Sequence, residues 1–95
     1  MRAERVYSSK VRFDDGMIQE IVVWRVPLPV PPTDHGFKYS LFYGKPGHRL
    51  IGYDNERGKG DHRHYGNREE PYQFKGWEAL VGDFLADVHA ARGVK

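Results

Sequence analysis

The sequence contains no cysteine. A disulfide framework, a thiolate metal site and a cysteine nucleophile are therefore excluded. No apolar run approaches the roughly 20 residues that a membrane-spanning helix needs. Neither sign of charge dominates, since 15 Lys and Arg stand against 13 Asp and Glu for a formal net charge of +2. That is mildly basic and far short of a histone-like tail. Residues 1–10 alternate charge and polarity without an apolar stretch, so no secretory signal and a cytoplasmic location are expected. There is no Gly-x-x-x-x-Gly-Lys-Ser/Thr phosphate loop, no serine nucleophile elbow and no dinucleotide fingerprint, and no cofactor is expected.

What is present fits one small folded unit. At 95 residues, positions 1–95 are expected to form a single domain. Aromatic residues make up 14%, too many for a disordered chain and enough to furnish much of a core. The charge is unevenly spread: residues 1–13 and 45–68 each carry a net +3, and residues 14–44 and 69–95 each carry −2. Two basic segments permit a phosphate-facing surface, although a solvated face explains them equally well. Five histidines are many for so short a chain.

The first half patterns as β-structure. Residues 5–13 and 17–26 alternate around Asp14-Asp15-Gly16, a hairpin signal. Four prolines within residues 27–32 can join neither a ladder nor a helix and predict a stiff crossover. Phe37, Tyr39, Leu41 and Tyr43 then alternate with polar neighbours up to the turn Gly44-Lys45-Pro46-Gly47. The return strand runs from about His48 to Tyr53, with either Leu50 and Gly52 or Ile51 and Tyr53 facing the core. Gly52 marks a bulge or a close approach. A short strand is expected to begin near His62. Trp77, Leu80, Val81, Phe84, Leu85 and Val88 lie at helical spacing, with Gly76 as the N-cap and Arg92-Gly93 as the close. The expected fold class is α+β: an antiparallel sheet of about five strands, including two hairpins, covered by one C-terminal amphipathic helix. One helix covers only part of such a sheet, and the uncovered part invites a second copy or another protein.

The chemistry concentrates at residues 54–65. If residues 62–65 are extended, His62 and His64 point to one side, because the side-chain period of a strand is two. Three readings stand side by side. In the first, the histidines perform acid–base chemistry on a phosphodiester, with one imidazole as base and the other as acid. Arg57, Lys59 and Arg63 would then offset developing negative charge, and Tyr65 would stack a base or donate a proton. In the second, His62, His64 and Asp54 or Asp61 hold a metal, against the opposition of cationic neighbours. In the third, Asp54 and Asn55 cap a turn and the histidines sit on a charged edge strand. His35, His48 and His89 are expected to be structural or solvated.

The runs Lys38-Tyr39-Ser40-Leu41-Phe42-Tyr43, Leu50-Ile51-Gly52-Tyr53-Asp54-Asn55 and Gly58-Lys59-Gly60-Asp61-His62-Arg63-His64, followed by the closing amphipathic helix, form a pattern. That pattern resembles the TumE-like small toxins of bacterial toxin–antitoxin modules. Residues 37–92 resemble the family well and the first hairpin loosely. Many members carry a longer Pro-His-His insert where this sequence has Glu56-Arg57-Gly58-Lys59-Gly60, so it resembles a shorter branch. The resemblance implies a toxin bound by a helix-turn-helix antitoxin encoded beside it, and it carries no target. Combined with the residue chemistry, it makes a metal-independent endoribonuclease acting on RNA the leading expectation. His62 and His64 would be the acid–base pair and Asp54 would orient one of them. Arg57, Lys59, Arg63, Tyr65 and Asn55 would contact the substrate. The alternative is a non-catalytic module that binds protein or nucleic acid through the exposed sheet face and the basic loop.

Overall fold

The structure is a computed structural model that describes residues 3–93. Part of the N-terminal basic segment, including Arg2, lies outside the described residues. The elements are β1 (Glu4–Arg12), β2 (Ile18–Arg25), β3 (Phe37–Lys45), β4 (His48–Glu56), β5 (Gly60–Tyr65), β6 (Arg68–Pro71) and α1 (Trp77–Ala91). The strands form one antiparallel meander in sequence order. The fold is α+β as expected, with six strands rather than about five.

Turn chemistry sets the register. Asp14-Asp15-Gly16 reverses the first hairpin, and Phe13 N–H closes the loop onto the Met17 carbonyl at 2.9 Å. Pro46-Gly47 reverses the second. The last hairpin turns on Gly66-Asn67, where Gly66 has a φ of 61° that side chains rarely adopt. The proline-rich crossover between β2 and β3 is anchored at both ends and in the middle. Val26 N–H bonds to the Gly36 carbonyl at 2.9 Å, and Gly58 N–H bonds to the Pro31 carbonyl at 2.8 Å. The crossover therefore braces the β4–β5 turn that leads into the histidines.

The core lies between the sheet and α1. Cross-strand partners Ile21, Leu41 and Tyr53 form one row, with Val23 and Tyr39 in the next and Tyr43 and Ile51 beyond. Leu80, Phe84 and Val88 of the helix pack onto this face and have no exposure. Ile51 and Tyr53, not Leu50 and Gly52, are thus the inward residues of β4. Gly76 precedes the helix without a side-chain cap, and Gly93, at φ 73°, follows Arg92 at its end. The opposite face of the sheet has no helix on it. Strand alternation places Trp24, Val22, Ser40, Phe42, Asp54, His62, His64 and Glu69 there.

Candidate functional site

The site is built on three adjacent strands. Asp54 of β4 stands opposite His62 of β5, and Gly52 stands opposite His64. His64 in turn stands opposite Glu69 of β6. Period-two alternation therefore delivers a carboxylate, two imidazoles and a second carboxylate to one patch of the open face. His62 is 3% exposed and His64 is 9% exposed. Their rings meet edge-on with centroids 4.9 Å apart.

The hydrogen bond made by His62 fixes its chemistry. Its Nδ1 lies 2.9 Å from the Gly60 carbonyl, which only accepts, so Nδ1 carries a proton. Nε2 is then the atom that faces Asp54. His62 Nε2 and Asp54 Oδ1 touch, yet both are buried without a hydrogen-bond partner. A lone pair on each would repel the other, so the contact calls for a proton or another cation between them. His64 Nε2 lies 3.9 Å from the same Asp54 oxygen and 3.4 Å from Glu69 Oε2. Burial holds the His64 imidazole below its ordinary value, and the Arg49 guanidinium pushes the same way. Asp54 and Glu69 oppose the shift without cancelling it. A neutral His64 offers a base.

Two cations border the cluster. Arg49 lies flat across Gly52 and brings Nη1 to 3.9 Å from Asp54 Oδ2. Lys59 Nζ is 3.6 Å from Glu69 Oε2. A cleft of about 220 Å³ beside β6 is lined by Lys59, Asp61, His62, Glu69, Glu70 and Pro71.

His62, His64, Asp54 and Lys59 come together as a group, and exposed Arg57 stands in the adjoining β4–β5 turn. Arg63 and Tyr65 do not join them. Alternation turns both to the helix face, where Arg63 Nε donates to Glu70 at 2.7 Å and Tyr65 donates to Asp87 at 2.7 Å. Asn55 has no exposure; its Oδ1 accepts from Tyr39 N–H at 3.0 Å and its Nδ2 donates to the Phe37 carbonyl at 2.7 Å. Asn55 therefore satisfies backbone groups of β3 and has no surface to offer a substrate. Asp61 is likewise engaged on the helix face, accepting from Tyr39 at 2.6 Å and from His35 Nε2 at 2.8 Å. His35 stacks on Phe74 with centroids 3.8 Å apart, which gives it a structural place.

Sequence reasoning missed Arg49 and Glu69. Gly52 was the signal for Arg49, because a missing side chain on the open face leaves room for one to lie across it. Gly66-Asn67 was the signal for Glu69, since that dipeptide closes a hairpin and puts the next strand beside His64.

A single antiparallel meander with one helix is a scaffold, and the His–Asp cluster on its open face is the feature that sets it apart chemically. The family model described as Toxin TumE matches residues 2–92. The chain belongs to that family, and it is a toxin component of a toxin–antitoxin module with an antitoxin as partner. No curated protein and no solved structure matches the chain. Among the described residues no helix is long and apolar enough to cross a membrane.

Proposed function

We propose that this toxin acts on RNA inside the cell that makes it, cleaving a phosphodiester bond by acid–base chemistry without a metal. One observation carries the reading: two imidazole Nε2 atoms converge on the Asp54 carboxylate, between two cations, on the face that the helix leaves free. His64 would take the proton of the 2′-hydroxyl. The 2′-oxygen would form a bond to phosphorus as the bond from phosphorus to the 5′-oxygen breaks. His62, whose Nε2 faces Asp54, would give a proton to that 5′-oxygen. Lys59, Arg57 and Arg49 would hold the non-bridging oxygens. The products would be a 2′,3′-cyclic phosphate and a free 5′-hydroxyl. The antitoxin would be a helix-turn-helix protein encoded beside the toxin.

The test is expression of the wild type and of His64→Gln in bacteria, with RNA-end profiling and a melting curve for each. The wild type should arrest growth and generate cyclic-phosphate ends that EDTA does not suppress in a purified reaction. His64→Gln should melt like the wild type and do neither. Arrest of wild-type strength by a folded His64→Gln overturns the assignment. The near-complete burial of both histidines favours one second reading, a surface that binds without cutting. Growth arrest with no new RNA ends would select it.

A further inference from the structure

We propose that His62 Nε2, His64 Nε2 and Asp54 Oδ1 form a binding site for a transition-metal dication of the zinc class. The inference rests on the functional reading of the same cluster and adds a means of regulating it.

Donor atoms from Asp54, His62 and His64 all lie within 4.8 Å of one another. Ligands about 2.0–2.1 Å from a tetrahedral ion stand about 3.4 Å apart. Glu69 Oε2 is 3.4 Å from His64 Nε2 and 3.7 Å from His62 Nε2, and Asp54 Oδ1 is 3.9 Å from His64 Nε2. The Asp54–His64 edge is near that spacing, and Glu69 stands beside both histidines. The His62–Asp54 edge is closed and has to open to admit it. Two imidazole nitrogens with a carboxylate oxygen are a donor set suited to zinc-like ions rather than to calcium or magnesium.

A second observation comes from the way two of these atoms are buried. His62 is more than nine-tenths buried, and its Nε2 touches only Asp54 Oδ1, with no hydrogen-bond donor or acceptor to complete either atom, so the contact calls for a cation between them. The proton on His62 Nδ1, given to the Gly60 carbonyl, is the arrangement that leaves Nε2 free and orients the ring for a metal. Arg49 addresses Asp54 Oδ2 and so leaves Oδ1 for the ion. Lys59 shares Glu69 Oε2 with the histidines, but its side chain is half exposed and free to swing away. A bound dication occupies both Nε2 atoms, so it silences the acid–base pair.

The experiment is a titration of the full chain, stripped with a chelator, with Zn²⁺ alone and with Co²⁺ alone. One Zn²⁺ should bind per chain and raise the melting temperature by mass action. Affinity should fall at least about tenfold in His64→Gln and in Asp54→Asn. Co²⁺ bound to the wild type should give the intense visible bands of a four-coordinate site, a readout that needs no variant to fold. Absent binding, or affinity unchanged in both variants, overturns the site. A weak six-coordinate Co²⁺ spectrum overturns it as well. RNA cleavage is scored separately. Zinc binding without cleavage under any condition keeps the site and sinks the nuclease reading. Cleavage in EDTA with no zinc binding does the reverse.

Discussion

At Gly52 the lack of a side chain decides where Arg49 lies. A Cβ built there would stand 2.6 Å from Arg49 Cδ, far inside contact distance. Arg49 is exposed and flexible, so Gly52→Ala should displace it from Asp54 and leave the fold intact, with stability changed by less than about 1 kcal/mol. A urea melt checks the fold. Salt dependence of RNA affinity checks the consequence, and its slope should flatten as one phosphate contact is lost. Asn55 is the opposite case. Asn55→Ala removes two bonds to buried β3 backbone groups, each worth about 1–3 kcal/mol when left unsatisfied. It should lower the urea midpoint markedly, whereas a substrate-contacting residue would lower activity at unchanged stability. The same residue scale explains why the fold separates residues that the sequence groups. Arg63 and Tyr65 were grouped with His62 and His64 by closeness along the chain. Strand alternation puts adjacent residues on opposite faces, and only the even members of the run reach the cluster.

The elements were legible wherever turn chemistry or periodicity marked them. Asp-Asp-Gly and Lys-Pro-Gly flagged both early hairpins, and the 3.6-residue spacing from Trp77 to Val88 flagged the helix. β6 was not flagged by its own pattern: Arg68-Glu69-Glu70-Pro71 has no apolar residue, and it pairs only at the sheet edge. The helix contributes three fully buried side chains, Leu80, Phe84 and Val88, to the core. Phe84 is fully buried and meets Tyr53 edge-on at 5.9 Å. Phe84→Ala should cost about 3–5 kcal/mol. Against the roughly 5–15 kcal/mol typical of a domain, that is enough to lower the melting temperature sharply or to unfold the chain, as a thermal scan would show.

For the whole molecule, the tyrosines tie the strands to one another and to the helix through carboxylates. Tyr39 donates to Asp61, Tyr53 and Tyr65 donate to Asp87, and Tyr72 donates to Asp83. Burial, reinforced by these carboxylates, pushes all four phenols above their ordinary value of 10.0. Above pH 10 the folded chain therefore holds protons that the unfolded chain has lost. Stability contributed by these groups is full below pH 10 and falls as pH rises beyond it. Tyrosinate absorbance should show a late-titrating class that appears together with alkaline unfolding. Titration of all six tyrosines near pH 10 in a still-folded chain contradicts this.

The same molecule keeps its tyrosine–carboxylate pairs on the helix face and its histidine–carboxylate cluster on the open face. The central claim is that the open-face cluster is where the toxin works. The most direct measurement is growth of bacteria expressing His64→Gln at wild-type levels, with its fold verified on the purified chain. Normal growth is the predicted result, and arrest as strong as that caused by the wild type would contradict it.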